Sequence, residues 1–250
     1  MPINIIRLND QANGQFDGGK IRENKPIGFR GEGGKLRPYS NLFYWAHAWS
    51  DEGGLIDTHP HQAFEILSFV LEGEISHYDT KNDKWKKLKK GDVQIIRAGN
   101  GISHAERIYP GGEIFQIWFD PDISKSIFKP ASYDDYPSKM FKVTTENGLS
   151  VKTYKGNGAA IKMDSEKVEI REMSLNIGTH QLKLNKDMQY SCYVIEGSLK
   201  IADDKFQKKD YFVISDDEFL EIDAIKKTRL FMIGSPKRPS YATYYERHGR

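Results

Sequence analysis

Short runs of β-branched and aromatic residues, separated by turn residues, make up most of the chain from residue 41 onward. Runs of this length and composition, bounded by Gly, Asp and Asn, are typical of strands in antiparallel sheets. The predicted strands of the first half are 42–49, 64–78, 93–97, 104–109 and 113–119, and those of the second half are 150–154, 168–175, 180–184, 192–202, 211–215, 219–222 and 228–233. The pattern therefore predicts an all-β protein built as a sandwich or a barrel.

Two segments lack this pattern. Residues 13–38 contain seven glycines and show neither the period of a strand nor that of a helix, which predicts an extended loop. Residues 124–136 are bracketed by Pro121 and Pro137 and interrupted by Pro130, which predicts a linker. The predicted organisation is an N-terminal domain at 1–122, a linker at 123–140 and a C-terminal domain at 141–250.

An internal repeat supports two domains of one kind. The sequence SFVLEGEI at 68–75 resembles CYVIEGSL at 192–199, which lies 124 positions later. Downstream, GDVQII at 91–96 resembles KDYFVI at 209–214, which lies 118 positions later. The difference of six residues corresponds to a shorter hairpin in the second copy. Self-similarity of this extent predicts a duplicated β-domain.

Composition and charge exclude several classes of protein. The 250 residues carry 37 Lys and Arg against 35 Asp and Glu, a formal charge of +2, which argues against nucleic acid or an anionic membrane as a partner. The chain shows neither a signal peptide nor the ~20 apolar residues of a membrane helix. Cys192 is the single cysteine, so no disulfide forms within the chain and a reducing compartment is expected. We therefore expect a cytoplasmic protein.

Two pairs of residues with metal-binding side chains stand out. His59 and His61 are two positions apart, as are His104 and Glu106. Alternate residues of a strand point to the same face, so each pair presents both side chains to one side. Glycine-rich turns precede both pairs, and glycine lets the backbone approach a bound ion closely. The spacing predicts that four ligands from two strands converge on one metal ion.

The residues around these pairs carry a resemblance to a known family. The segment GGLIDTHPHQAFE at 53–65, the turn GDVQ at 91–94 and the segment AGNGISHAE at 98–106 resemble the paired motifs of the cupin superfamily. They are similar in particular to pirin and its bacterial relatives, which share an HPHxxxE segment and a later GxGxxHxE segment. The resemblance is dense in the N-terminal half. It implies two tandem cupin domains, each a double-stranded β-helix or jelly roll.

The residues alone do not decide which carboxylate is the fourth ligand. Glu65 lies an even number of positions from His59 and His61, so in one continuous strand all three side chains would share a face. The resemblance implies that Glu106 is the fourth ligand and that Glu65 lies behind the site, where it orients a histidine. Either carboxylate could also take a proton from a substrate. Imidazoles with one carboxylate suit a divalent transition metal; we expect Fe(II), and Cu, Ni, Mn or Zn suit the same donors.

The resemblance also implies an activity, a dioxygenase that opens the heterocycle of a flavonol such as quercetin with O2. Two alternatives stay open. One is a redox-sensitive, metal-dependent regulatory protein that binds a protein partner without turnover. The other is an enzyme acting on a different small aromatic or enol substrate. Nothing in the sequence predicts the oligomeric state.

The second copy of the repeat lacks the metal-binding residues. The offset of 124 places Lys183 and Asn185 where the first copy has His59 and His61, and the offset of 118 places Ile222 and Ala224 where it has the His104 pair. An ammonium group competes with a cation, and aliphatic side chains have no lone pair. The alignment therefore predicts a C-terminal domain that binds no metal.

Overall fold

A computed structural model of the chain describes residues 3–249, more than half of which lie in strands and few of which lie in helices. The first twelve strands are β1 Ile3–Ile6, β2 Ala12–Phe16, β3 Ile21–Ile27, β4 Leu42–Ser50, β5 Gly54–His61, β6 Glu65–Glu72, β7 Glu74–Asp79, β8 Lys84–Lys89, β9 Val93–Arg97, β10 Ile102–Ile108, β11 Gly112–Phe119 and β12 Ser132–Tyr136. The next ten are β13 Lys142–Glu146, β14 Leu149–Lys155, β15 Glu169–Leu175, β16 Gly178–Lys183, β17 Met188–Glu196, β18 Ser198–Ile201, β19 Asp204–Gln207, β20 Tyr211–Ser215, β21 Phe219–Ala224 and β22 Thr228–Pro236. The helices are α1 Ile123–Ser126, α2 Tyr244–His248 and the 3-10 turns Leu8–Asp10, Asp17–Gly19 and Ser138–Met140. The prediction of an all-β protein is confirmed.

The described residues form two compact units. The N-terminal unit comprises 11–140, 163–166 and 239–249, and the C-terminal unit comprises 3–10, 141–162 and 167–238. These units are more interleaved along the chain than the predicted domains at 1–122 and 141–250. Strand pairing is the reason, because β1 pairs with β20 of the C-terminal unit and β12, in the predicted linker at 123–140, pairs with β9 of the N-terminal unit.

The N-terminal unit is a sandwich of two antiparallel sheets. Its larger sheet has the order β12-β9-β6-β11-β4-β3-β2, and its smaller sheet has the order β5-β10-β7-β8. A buried aliphatic cluster takes members from both sheets: Ile21, Ala48, Val70 and Ile114 from the larger, and Ile56, Ile75, Leu88 and Ile108 from the smaller. Each buried aliphatic side chain of this size contributes about 1.5–3 kcal/mol. The cluster therefore holds the two sheets face to face.

The C-terminal unit repeats this arrangement strand for strand. Its larger sheet has the order β1-β20-β17-β22-β15-β14-β13, and its smaller sheet has the order β16-β21-β18-β19. Strand β20 lies 118 positions after β9, with identical length, as the repeat predicts. A buried apolar cluster takes members from both sheets, among them Cys192, Phe212, Met232, Leu199, Leu220 and Ile222.

The repeated Glu-Gly turn has a conformational cause. Gly73 and Gly197 have φ values of +65° and +85°, a region that residues with a Cβ rarely adopt. A Cβ on Gly197 would also lie 2.3 Å from the carbonyl oxygen of Lys227. Glycine is therefore required where β17 turns into β18.

The predicted loop at 13–38 is wrong over much of its length. Strands β2 and β3 pair with each other, and β3 also pairs with β4. The apolar period is hidden because β3 buries Glu23 and Lys25, which form an ion pair of 2.8 Å. No helix among residues 3–249 is long and apolar enough to cross a membrane.

Candidate metal centre

Strand β10 lies between β5 and β7 in the smaller sheet of the N-terminal unit and brings donor side chains together. His104 is paired with His59 of β5, and Glu106 is paired with His77 of β7. Cross-strand partners lie close on one face of a sheet, and residues two apart on a strand share that face. His104 and Glu106 are fully buried. One face of β10 therefore collects metal-binding side chains from three strands.

The first group, which we call the histidine triad, consists of His59, His61 and His104. One nitrogen from each ring lies within 4.8 Å of the others, and the ring centroids are 4.4–4.8 Å apart. Nδ1 of His59 lies 2.7 Å from the carbonyl oxygen of Asp57. A carbonyl only accepts hydrogen bonds, so this Nδ1 carries the proton and Nε2 of His59 keeps its lone pair.

Burial keeps His61 and His104 uncharged and ready to bind a cation. Desolvation, assisted by the neighbouring His59, lowers the pKa of His61 to about 4, and burial holds the pKa of His104 well below its usual range. Nε2 of His61 and both ring nitrogens of His104 are buried without a hydrogen-bond partner among the described residues. Neutral imidazoles with unused lone pairs are the form in which histidine binds metals. The donor set therefore fits a metal ion.

Glu106 is held from two sides. The hydroxyl of Ser68 donates to Oε1 at 2.9 Å, and Nε2 of Gln116 donates to Oε2. Nδ1 of His77 lies 4.0 Å from Oε1. Burial alone would raise the pKa of Glu106, but the imidazoles of His77 and His104 and the Ser68 hydroxyl outweigh it and lower the pKa to about 2. The carboxylate is therefore ionised at neutral pH.

The structure places the predicted residues in two overlapping groups rather than one. His59, His61 and His104 form the triad, whereas Glu106 is grouped with His104 and His77 within 4.8 Å. His104 belongs to both groups. Glu106 is thus adjacent to the triad through the shared histidine.

Glu65 lies outside both groups, which corrects the expectation that it orients a histidine or takes a substrate proton. Its oxygens accept hydrogen bonds from the backbone N–H of Asp164 at 2.6 Å, the N–H of Ser165 at 2.9 Å and the hydroxyl of Ser165 at 2.6 Å. The parity argument fails because Glu65 begins β6 of the larger sheet, whereas His59 and His61 end β5 of the smaller one. Parity relates residues only within one continuous strand.

Sequence reasoning missed His77, Gln116 and Ser68. Ser68 and Gln116 have only apolar residues two positions away on their strands, so no spacing marks them. His77 has Asp79 two positions later, but Asp79 accepts hydrogen bonds from the backbone of the turn that follows β7. The pairing of β7 with β10 is what places His77 beside Glu106. That register follows from tertiary structure and leaves no trace in the local pattern.

A cavity of about 510 Å³ opens beside the triad. His59 and His61 line one side, and Trp118 lies edge-on to His61 with ring centroids 4.6 Å apart. The rings of Phe29 and Tyr44 stack at 4.8 Å and continue the wall. The charged side chains of the lining are Asp17, Glu23, Lys25, Glu32 and Asp57. A flat aromatic molecule with polar substituents fits this lining.

The register of the C-terminal unit corrects the alignment of its ligand positions. Ile222 is paired with His180 and Leu220 with Leu182, as His104 is paired with His59 and Ile102 with His61. The buried positions of β16 are accordingly His180 and Leu182, whereas Lys183 and Asn185 are exposed. Nε2 of His180 lies 2.8 Å from the carbonyl oxygen of Asn176. The three-donor groups found in residues 3–249 lie in the N-terminal unit.

Comparisons with known proteins find similarity to pirins and to proteins named as quercetin 2,3-dioxygenases. The family model described as Pirin matches residues 36–119. A protein of Pseudomonas aeruginosa named "Putative quercetin 2,3-dioxygenase PA1210" is 27% identical over 199 residues, covering 74% of this chain and 81% of the relative. A bacterial pirin of Escherichia coli, solved in complex with nickel(II), superimposes with a TM-score of 0.76 at 20% identity, over 94% of this chain and 99% of the other. A quercetin 2,3-dioxygenase of Acinetobacter baumannii superimposes with a TM-score of 0.77 at 21% identity, over 94% and 86%.

Proposed function

We propose that the chain is a bicupin of the pirin family and a metal-dependent dioxygenase that opens the heterocycle of a flavonol with O2. One observation carries the proposal: three imidazoles converge beside a cavity that His59 and His61 line together with the aromatic side chains of Trp118, Phe29 and Tyr44. The names of the Pseudomonas and Acinetobacter relatives support the substrate class.

We assign His59, His61, His104 and Glu106 as the ligands. The ion, which we propose to be Fe(II), would act as a Lewis acid toward the substrate's enol oxygen and as a redox partner for O2. The nickel(II) of the Escherichia coli relative shows that another divalent ion suits a pirin. The chain itself supplies three imidazole donors, the carboxylate of Glu106 and a cavity bounded on one side by Trp118.

The protein groups around the cavity orient the substrate. Trp118, Phe29 and Tyr44 form a continuous aromatic wall, with centroid separations of 4.8–5.3 Å. Offset and edge contacts of this kind favour flat rings and exclude water from one face of the substrate. Glu106 is held by Ser68 and Gln116, so its carboxylate acts as a ligand of fixed direction rather than as a mobile base.

The test compares the wild-type chain with His61→Ala. Each protein is loaded anaerobically with Fe(II), Cu(II), Ni(II), Mn(II) or Zn(II), and bound metal is measured by elemental analysis. We expect about one equivalent in the wild type and at least a tenfold loss of affinity in the variant. The matched control is His47→Ala, because His47 is buried in β4, 3.2 Å from Glu113, and belongs to neither donor group. Full metal retention in His61→Ala would contradict the ligand assignment.

Oxygen uptake and loss of visible flavonol absorbance are then followed after quercetin is added. Turnover by the Fe(II) or another loaded form, abolished in His61→Ala, supports the dioxygenase. If the protein binds metal tightly but none of the metal-loaded forms turns over the flavonol, the proposed dioxygenase activity is wrong and a metal-dependent binding function takes its place.

A further inference from the structure

His77 is a buried histidine that is not among the four proposed metal ligands. Its side chain is 1% exposed, and both ring nitrogens are buried without a hydrogen-bond partner among the described residues. Buried polar atoms in native proteins are satisfied almost without exception, by protein, water or an ion. The side chain therefore needs a partner close by.

Two groups surround it. The His104 ring centroid lies 5.0 Å away, and Oε1 of Glu106 lies 4.0 Å from Nδ1 of His77. The backbone register sets His77 directly opposite Glu106. The 4.0 Å separation is roughly 1 Å longer than a hydrogen bond, so a small side-chain rotation closes it. The carboxylate can accept this bond, because each of its oxygens has two lone pairs and each is engaged by one donor.

Direct metal binding by His77 is less consistent with the geometry. Two members of the triad, His59 and His61, line the cavity, and His77 shares a donor group with only the third, His104. His77 is therefore grouped with the ligands His104 and Glu106 but not with the two histidines that line the cavity.

We propose that His77 is a positioning residue for Glu106. Its ring N–H donates to Oε1, so that Glu106 accepts hydrogen bonds from three side chains, those of His77, Ser68 and Gln116. These bonds orient the remaining lone pairs of the carboxylate toward the triad. Groups that orient a ligand from behind typically change metal affinity 10–100-fold when removed. The inference rests on the proposed metal site.

The experiment uses cobalt(II) as the probe and measures its dissociation constant by chelator competition, together with the visible d–d spectrum. His77→Phe removes the donor, and His77→Gln keeps an N–H donor of similar reach. We expect His77→Phe to weaken cobalt binding at least tenfold and to change the spectrum, and His77→Gln to stay within about threefold of wild type. His47→Phe, in a buried histidine outside the donor groups, should leave both readouts unchanged.

A double-mutant cycle shows whether His77 acts through Glu106. In a Glu106→Gln background, His77→Phe should weaken binding by less than about threefold further, because the group it positions is already altered. An equal loss in both backgrounds would overturn the inference, as would a His77→Phe protein that binds cobalt like the wild type. A wild-type chain that binds no cobalt would instead refute the metal site itself.

A second measurement covers the case in which His77→Phe does not fold. In the wild-type protein loaded with zinc(II), NMR should show a slowly exchanging ring N–H of His77 whose resonance shifts in Glu106→Gln. The absence of that resonance, or its indifference to Glu106→Gln, overturns the proposal.

Discussion

Replacing Glu65 by Gln separates the two carboxylates that the sequence could not tell apart. The Glu65 side chain is 1% exposed and accepts three hydrogen bonds from Asp164 and Ser165. Burial raises the pKa of Glu65, and those three donors oppose the rise. A glutamine offers one acceptor oxygen and turns an NH2 group toward donors that it cannot satisfy.

The size of the effect follows from these contacts. A hydrogen bond to a charged group contributes about 1.5–3 kcal/mol, and a buried donor left without a partner costs about 1–3 kcal/mol. Losing one bond and leaving one donor unsatisfied therefore destabilises the N-terminal unit by roughly 2.5–6 kcal/mol. At about 2–4 °C per kcal/mol, its melting temperature should fall by roughly 5–24 °C.

The assay is thermal and denaturant unfolding of metal-free Glu65→Gln and Glu106→Gln, combined with cobalt affinity of each. We expect Glu65→Gln to lower stability while cobalt binding stays within about threefold of wild type, and Glu106→Gln to weaken cobalt binding tenfold or more. Wild-type stability with tenfold weaker binding in Glu65→Gln would refute the reasoning and assign Glu65 to the metal.

Three further predictions concern groups away from the donor cluster. Burial raises the pKa of Asp120 to about 7, above the unfolded value near 3.8, so its contribution to stability is fully present below pH 4 and is lost as pH rises through 7. Between pH 5 and pH 8 the free energy of unfolding of Asp120→Asn should therefore rise relative to that of the wild type, by up to roughly 4 kcal/mol, as measured by urea unfolding. A difference that does not depend on pH would contradict this. Burial also raises the pKa of the Cys192 thiol, so a thiol reagent should label Cys192 only as fast as the chain unfolds, and labelling of the native protein within minutes would be unexpected. Gly197→Ala should cost about 2–3 kcal/mol because of its positive φ and its contact with Lys227, and a neutral effect would show that the β17–β18 turn relaxes.

The strands and the triad were predictable because they depend on local pattern. The sequence predicts strand β9 at the residues where the structure has it, because the run VQIIR stands between turn signals. In the structure all five residues are buried or half-buried. The spacing of His59 and His61 needed only the alternation of side chains along β5. Both inferences use periodicity within one element.

Strand prediction from the sequence fails where residues of opposite charge are buried together. Strand β3 reads IRENKPI and buries six of its seven residues, including Glu23 and Lys25. A lysine and a glutamate are acceptable inside when each neutralises the other, as their 2.8 Å contact shows. Polar pairing across the sheet thus removes the apolar period on which strand prediction relies.

Register between strands is the second kind of information that the local pattern lacks. The repeat alignment carried the offset of the β6 and β17 hairpins back to an earlier strand and placed Lys183 at a ligand position, although pairing with β21 places His180 there. A slip of three residues in β16 reverses which side chains face inward, because alternation has a period of two. The same dependence on pairing hid His77, whose position opposite Glu106 is set by β7 and β10 together. Spacing along a strand therefore predicts which side chains share a face, as for His59 with His61 and for His104 with Glu106, whereas the residues that contact those ligands from a neighbouring strand require the register.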